Sequence, residues 1–201
     1  MRKEFTYVLL GIVIILTLGI RLYFSFSTPY FSDDTSYYQL RQIEAIKQHF
    51  IPEFYDPLSF GGRLFLFSPL FHYLLAALTS FGSSWYLTKI ILNLFAVSIV
   101  PIIFLLVDEI TRNKQIALFT ACVSCFIPIY FVETVNSLSV KSLSLPLSFL
   151  FLLFFYKIQN KIAGFWCLFL LCFLILLDAS SLLLLFGLLL YYWKLYGKNT
   201  K

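Results

Sequence analysis

The sequence predicts an all-α integral membrane protein of about six transmembrane helices, with one outer loop that carries interfacial amphipathic helices. Three observations predict it. Hydrophobic residues make up 60% of the 201-residue chain and charged residues 12%, against about 45–50% and about 25% in soluble domains. Apolar runs approach the roughly 20 residues that a bilayer span needs. The lysines and arginines fall in short clusters between those runs, where they set orientation, so the formal charge of +5 does not signal a nucleic-acid partner.

The first span, about 5–26, follows Met1-Arg2-Lys3 and reads as an uncleaved anchor. It is longer than the roughly 7–15 residues of a signal-peptide core, and it contains Arg21, which reads as a cation snorkelling to the interface. Further spans are expected near 86–107, 116–132, 143–157, 162–177 and 181–196. The segment 64–81 is apolar enough to cross, yet it contains Pro69 and His72. The charges decide its place. Kept on the outer surface, it leaves nine cations inside and six outside; made to cross, it leaves four inside and eleven outside, the reverse of the positive-inside rule. The expected topology is therefore one membrane domain, 1–201, in the cytoplasmic membrane. Both termini are cytoplasmic, and an outer loop runs over about 27–85.

Two helices are expected in that loop. In 35–50, Leu40, Ile43, Ile46 and Phe50 recur on one face, with Arg41, Glu44 and Lys47 on the rest. In 69–81, Leu70, Phe71, Leu74, Leu75, Leu78 and Phe81 form one face, and His72, Ala76, Thr79 and Ser80 the other. This is the pattern of a helix lying on a membrane surface. Gly61-Gly62 reads as a turn. The four cysteines, Cys122, Cys125, Cys167 and Cys172, lie in apolar runs. No flanking ligands support metal binding by the Cys122–Cys125 pair, so they read as small apolar residues.

The outer loop holds the candidate chemistry. Asp33-Asp34 opens its first helix. One Asp there serves as an N-cap. Two adjacent carboxylates can also bind a divalent cation, orient an acceptor or act as a general base.

This acidic pair, followed by Tyr37-Tyr38, Leu40-Arg41, Asp56-Pro57 and Ser68-Pro69-Leu70-Phe71-His72-Tyr73, resembles the first outer loop of the GT-C membrane glycosyltransferases. That family includes protein O-mannosyltransferases and the catalytic subunit of oligosaccharyltransferase. The resemblance covers about residues 5–110. It implies transfer of a sugar from a polyprenyl-phosphate donor to an acceptor on the outer membrane face. Asp33 and Asp34 would be the catalytic acids; Arg41, Arg63, Lys89 and Lys141 the cations for the departing phosphate; His72 and Glu133 further substrate contacts. Membrane lipid and the lipid-linked donor are the implied partners. No cofactor is specified, although a divalent cation suits the acid pair.

The pattern departs from the family in three ways. Glu133 is the only acid of the second outer loop, so the second acidic motif is missing, and Lys141 can simply pair with it. Phe67 stands where the mannosyltransferases place a histidine. The chain is also short for the family. The alternative to an enzyme is thus a non-catalytic membrane subunit, a relic of such an enzyme, or one part that a partner subunit completes. Asp178, between two apolar runs, reads either as a turn cap or as a functional acid.

Overall fold

The computed structural model describes residues 3–56, 58, 61–80, 84–124, 126–158 and 160–196. Ten helices and one small hairpin are described. Helix α1 spans Lys3–Phe26, α2 Asp34–His49, α3 Leu70–Leu78, α4 Ser84–Val97 and α5 Ile99–Thr111. Then come α6 at Lys114–Ser124, α7 at Pro128–Thr134, α8 at Lys141–Tyr156, α9 at Lys161–Leu177 and α10 at Leu182–Tyr196. Strands β1 (Tyr55–Asp56) and β2 (Arg63–Leu64) pair antiparallel, with Tyr55 opposite Leu64 and Asp56 opposite Arg63.

Six membrane spans are not what the chain forms. Among the described residues, two helical stretches are long and apolar enough to cross a membrane, Glu4–Phe26 and Trp85–Thr111. A third would require α6 and α7 to act as one span, although they are bent by 50°. The break lies just before Pro128, which has no N–H to donate and disfavours helix in the residue before it; Ile127 is accordingly non-helical, with φ −57° and ψ 117°. Helices α8 and α9 have 16 and 17 residues. At 1.5 Å per residue each reaches about 24–26 Å, short of a hydrocarbon core about 30 Å thick. Lys157 ends α8, and Asp178, in an extended conformation, ends α9.

The topology inferred from cation counts falls with the six spans. Both cytoplasmic termini and the placement as a multi-pass protein of the cytoplasmic membrane rest on alternation across six spans, which the described helices do not provide.

Three apolar clusters hold the helices together. The first joins α2, α3, α4 and the end of α9 through Ile43, Ile46, Phe71, Leu75, Leu92 and Leu177. The second packs α4 and α5 on α6 and α7 through Ala96, Val100, Phe104, Ala117, Ala121 and Tyr130. The third joins α8 to α9 through Phe151, Cys167, Leu170 and Leu174. Small residues at 117 and 121, one turn apart, let α6 approach α5 closely.

Helix α3 is not an interfacial surface helix. Its buried residues are Phe71, His72, Leu75 and Ala76, and Thr79 just beyond is buried too. Leu78, expected on the apolar side, is 47% exposed, and Phe81 lies outside the described residues. The inward stripe is rotated from the most apolar one, because α2 and α9 pack on the flank that holds His72.

The hairpin depends on its glycines. Gly61 and Gly62 have φ of +76° and +67°, which a residue with a Cβ rarely adopts. A Cβ on Gly62 would also lie 2.0 Å from Tyr55 Oη.

Candidate functional site

The site forms where the first turn of α2 meets the turn from α7 to α8. Two sets of contacts fix that meeting. Ser32 N–H donates to the Asn136 carbonyl at 2.9 Å, and Asn136 Nδ2 donates back to Thr28 Oγ1 and the Tyr30 carbonyl, each at 2.9 Å. On α2, the buried Ser36 Oγ accepts from Leu138 N–H at 2.7 Å. Residues about 100 positions apart are thereby held wall to wall.

Between the walls is a cavity of about 470 Å³. Its polar lining includes Ser32, Asp33, Thr35, Glu133, Ser137 and Lys141, with Gln39 at one side. Asp33 is the N-cap residue of α2, with extended φ −134° and ψ 148°. Its carboxylate makes no hydrogen bond to the helix N–H groups. Instead it accepts from the hydroxyls of Thr35 and Ser36. Across the cavity, Lys141 Nζ lies 2.8 Å from Glu133 Oε2, with both side chains partly exposed. Two carboxylates against one ammonium leave the lining acidic.

Three of the sequence candidates therefore converge: Asp33, Glu133 and Lys141. The others do not. Asp34 is exposed in the first turn of α2. Arg41 is committed to a bidentate pair with Asp56, 3.1 Å at each oxygen, which ties α2 to the hairpin. Arg63 lies exposed on β2. His72 is buried and lines a second cavity.

Lys89 is fully buried, and its Nζ donates to the carbonyls of Ser25 (2.7 Å), Thr28 (3.0 Å) and Tyr30 (3.4 Å). Three N–H bonds exhaust an ammonium, so this cation fastens the chain leaving α1 and is not available to a phosphate.

Arg21 does not snorkel. It is fully buried. Its Nε donates to Asn93 Oδ1 at 3.2 Å and its Nη2 to Thr134 Oγ1 at 2.6 Å. The guanidinium also stacks near Tyr130 and Phe131, 5.6 and 5.5 Å from the ring centres. A signal for this was present: Asn93 and Thr134 are among the few hydrogen-bonding side chains in their apolar runs, and a charge in such a run needs partners.

Asp178 caps the short 3-10 turn Ala179–Ser181, accepting from Ser180 N–H at 3.0 Å. Cys122 is exposed on α6 and Cys167 buried between helices, while Cys125 lies outside the described residues. Among the described residues, no three His, Cys, Asp or Glu side chains come together in a way that could hold a metal ion.

No family model matches the chain, and no curated protein matches it in sequence. The resemblance to the GT-C glycosyltransferases is overturned. Two crossing-competent helices, or three with the bent pair, do not make that multi-pass fold. Sugar transfer from a lipid-linked donor loses its basis with it, as do the non-catalytic membrane subunit or relic of such an enzyme and the membrane-lipid and polyprenyl-phosphate partners. Among the described residues, neither the multi-pass architecture nor a grouped set of His, Cys, Asp or Glu side chains is there to support that chemistry.

Proposed function

We propose that the chain is a binding protein for a small polyhydroxylated molecule, held in the cavity between α2 and the α7–α8 turn. One observation carries the reading: Asp33, Glu133 and Lys141 converge on one cavity together with the hydroxyls of Ser32, Thr35 and Ser137. Carboxylates accept from ligand hydroxyls, the ammonium donates to them, and serine and threonine hydroxyls do either. Sites for small ligands use a few such convergent polar groups. The volume admits a six-carbon polyol.

The test is titration of the full chain with myo-inositol, followed by ligand-observed NMR. Saturable binding by the wild type, weakened at least tenfold by Asp33→Ala, supports the reading. Equal binding by both proteins sinks it.

An enzyme is the second reading, and the Asp33 geometry favours it. The Asp33 carboxylate lines the cavity, and the lone pairs left after the Thr35 and Ser36 hydroxyls can take a proton from a ligand hydroxyl. With acetyl phosphate as acyl donor, the inositol oxygen bonds to the acetyl carbon, its proton passes to Asp33 and inorganic phosphate leaves, so inositol acetate should form with wild type and not with Asp33→Asn. No ester with either protein removes it.

A further inference from the structure

Gln39 also borders a second cavity, of about 270 Å³, with Tyr38, Phe67, His72, Leu177 and Asp178 around it. Three elements meet here: α2, α3 and the break between α9 and α10. Four polar atoms of these residues are shut off from solvent with no partner in hydrogen-bond geometry, although the Ser68 backbone approaches the His72 ring. They are Tyr38 Oη, Gln39 Oε1 and both ring nitrogens of His72. The His72 side chain belongs to a residue only 3% exposed. Unpartnered buried groups are rare, and each asks for a reason; four around one cavity point to an occupant.

The lining specifies its chemistry. The Phe67 ring centre is 4.8 Å from that of His72 and 6.1 Å from that of Tyr38, and Tyr38 packs 5.0 Å from Phe65. Aromatic faces attract cations. Burial lowers the His72 pKa to about 4, a shift the nearby Ser68 backbone offsets only in part, so the ring is neutral near pH 7 and offers one acceptor nitrogen. Asp178 is then the one charged group in the lining. Its oxygens already accept from Ser180 N–H, Ser180 Oγ (2.7 Å) and Ser144 Oγ (3.4 Å), which leaves room for one more donor. Arg41 sits 5.7 Å from the Tyr38 ring centre, but its charge is answered by Asp56.

We propose that this second cavity binds a small organic amine in its ammonium form, donating to Asp178, Gln39 Oε1 and one His72 nitrogen against the Phe67 and Tyr38 rings. The proposal is independent of the polyol reading, which concerns the other cavity.

The experiment is calorimetric titration of the full chain with benzylammonium chloride beside benzyl alcohol, which has the same shape and no charge. The expected result is saturable binding of benzylammonium, one per chain, with benzyl alcohol at least tenfold weaker. Asp178→Asn should weaken the amine at least tenfold, and Asp33→Ala should leave it unchanged. Equal affinities for the two probes, or no saturable amine binding (a cavity that holds water only), overturn the proposal. Asp178 also caps a turn. Where Asp178→Asn loses its helical circular dichroism, His72→Phe decides instead: unchanged amine affinity in that variant overturns the proposal, and a severalfold loss supports it.

Discussion

Two buried polar regions of this chain use similar side chains to opposite ends. Around Arg21 and Lys89, the charged groups are spent on the protein itself. Arg21 links α1 to α4 and α7 through Asn93 and Thr134, and Lys89 gathers three carbonyls at the exit of α1. Beside the His72 ring, Tyr38 Oη and Gln39 Oε1 have no hydrogen-bond partner in the protein. A buried polar group that is satisfied internally is a fastener. One that is left open at a cavity is a receptor for something else. The cavity at Asp33 lies between the extremes, its carboxylates partly answered and partly turned to open space.

The comparison breaks first at Arg21. Each hydrogen bond to a charged group contributes about 1.5–3 kcal/mol, so Arg21→Met should lower the unfolding free energy by about 4 kcal/mol. Denaturant unfolding checks this. A loss under about 1 kcal/mol would mean that the Arg21 contacts are not fasteners.

His72 sharpens the other side through pH. Its pKa is about 4 in the folded chain against 6.5 as the ordinary value. Between these values the unfolded chain binds the proton and the folded chain does not. Stability should therefore be complete above pH 6.5 and fall as the pH drops towards 4, by about 3 kcal/mol from this group. Below that window its contribution is flat. Unfolding curves of wild type and His72→Phe across the window measure it; parallel pH profiles would show that His72 is not held neutral.

A smaller effect is expected at the hairpin. Gly62→Ala places a Cβ against Tyr55 Oη at a positive φ, and should destabilise by about 2 kcal/mol. Adding Tyr55→Phe should recover part of that, the φ strain remaining. The smallest effect belongs to Glu133–Lys141. Both side chains are about half exposed, so Glu133→Gln should change stability by less than about 1 kcal/mol while weakening inositol binding. A change in stability as large as that of Arg21→Met would put the pair among the fasteners instead.

Composition shows that the chain is apolar, but a count of apolar residues does not count spans. Pro128, Lys157 and Asp178 interrupt the later runs, and each interruption is visible in the sequence. Pro128 falls inside the expected 116–132 run, while Lys157 and Asp178 bound the runs 143–157 and 162–177 and leave each shorter than a span. The face of α2 is largely legible: Ile43 and Ile46 recur at helical spacing and are buried, while Phe50, expected beside them, caps the helix and is exposed. The inward face of α3 is legible only in part: Phe71 and Leu75 of the expected face are buried, but Leu78 is exposed and His72 and Ala76 turn inward, because the neighbours of α3 select the stripe with His72. The acidic character of 33–34 stands out by eye. That Asp33 shares a cavity with Glu133 and Lys141 does not, since about 100 residues separate the two walls, which meet through contacts of Thr28, Tyr30, Ser32 and Ser36 with Asn136 and Leu138.

The most direct test of the central claim is amide hydrogen exchange of the full chain with and without saturating myo-inositol, read at Ser32 and at Leu138. These two amides bond across the walls of the Asp33 cavity. The account predicts that inositol slows exchange at both in the wild type and at neither in Asp33→Ala. Unchanged exchange at both positions in inositol-saturated wild type would contradict it.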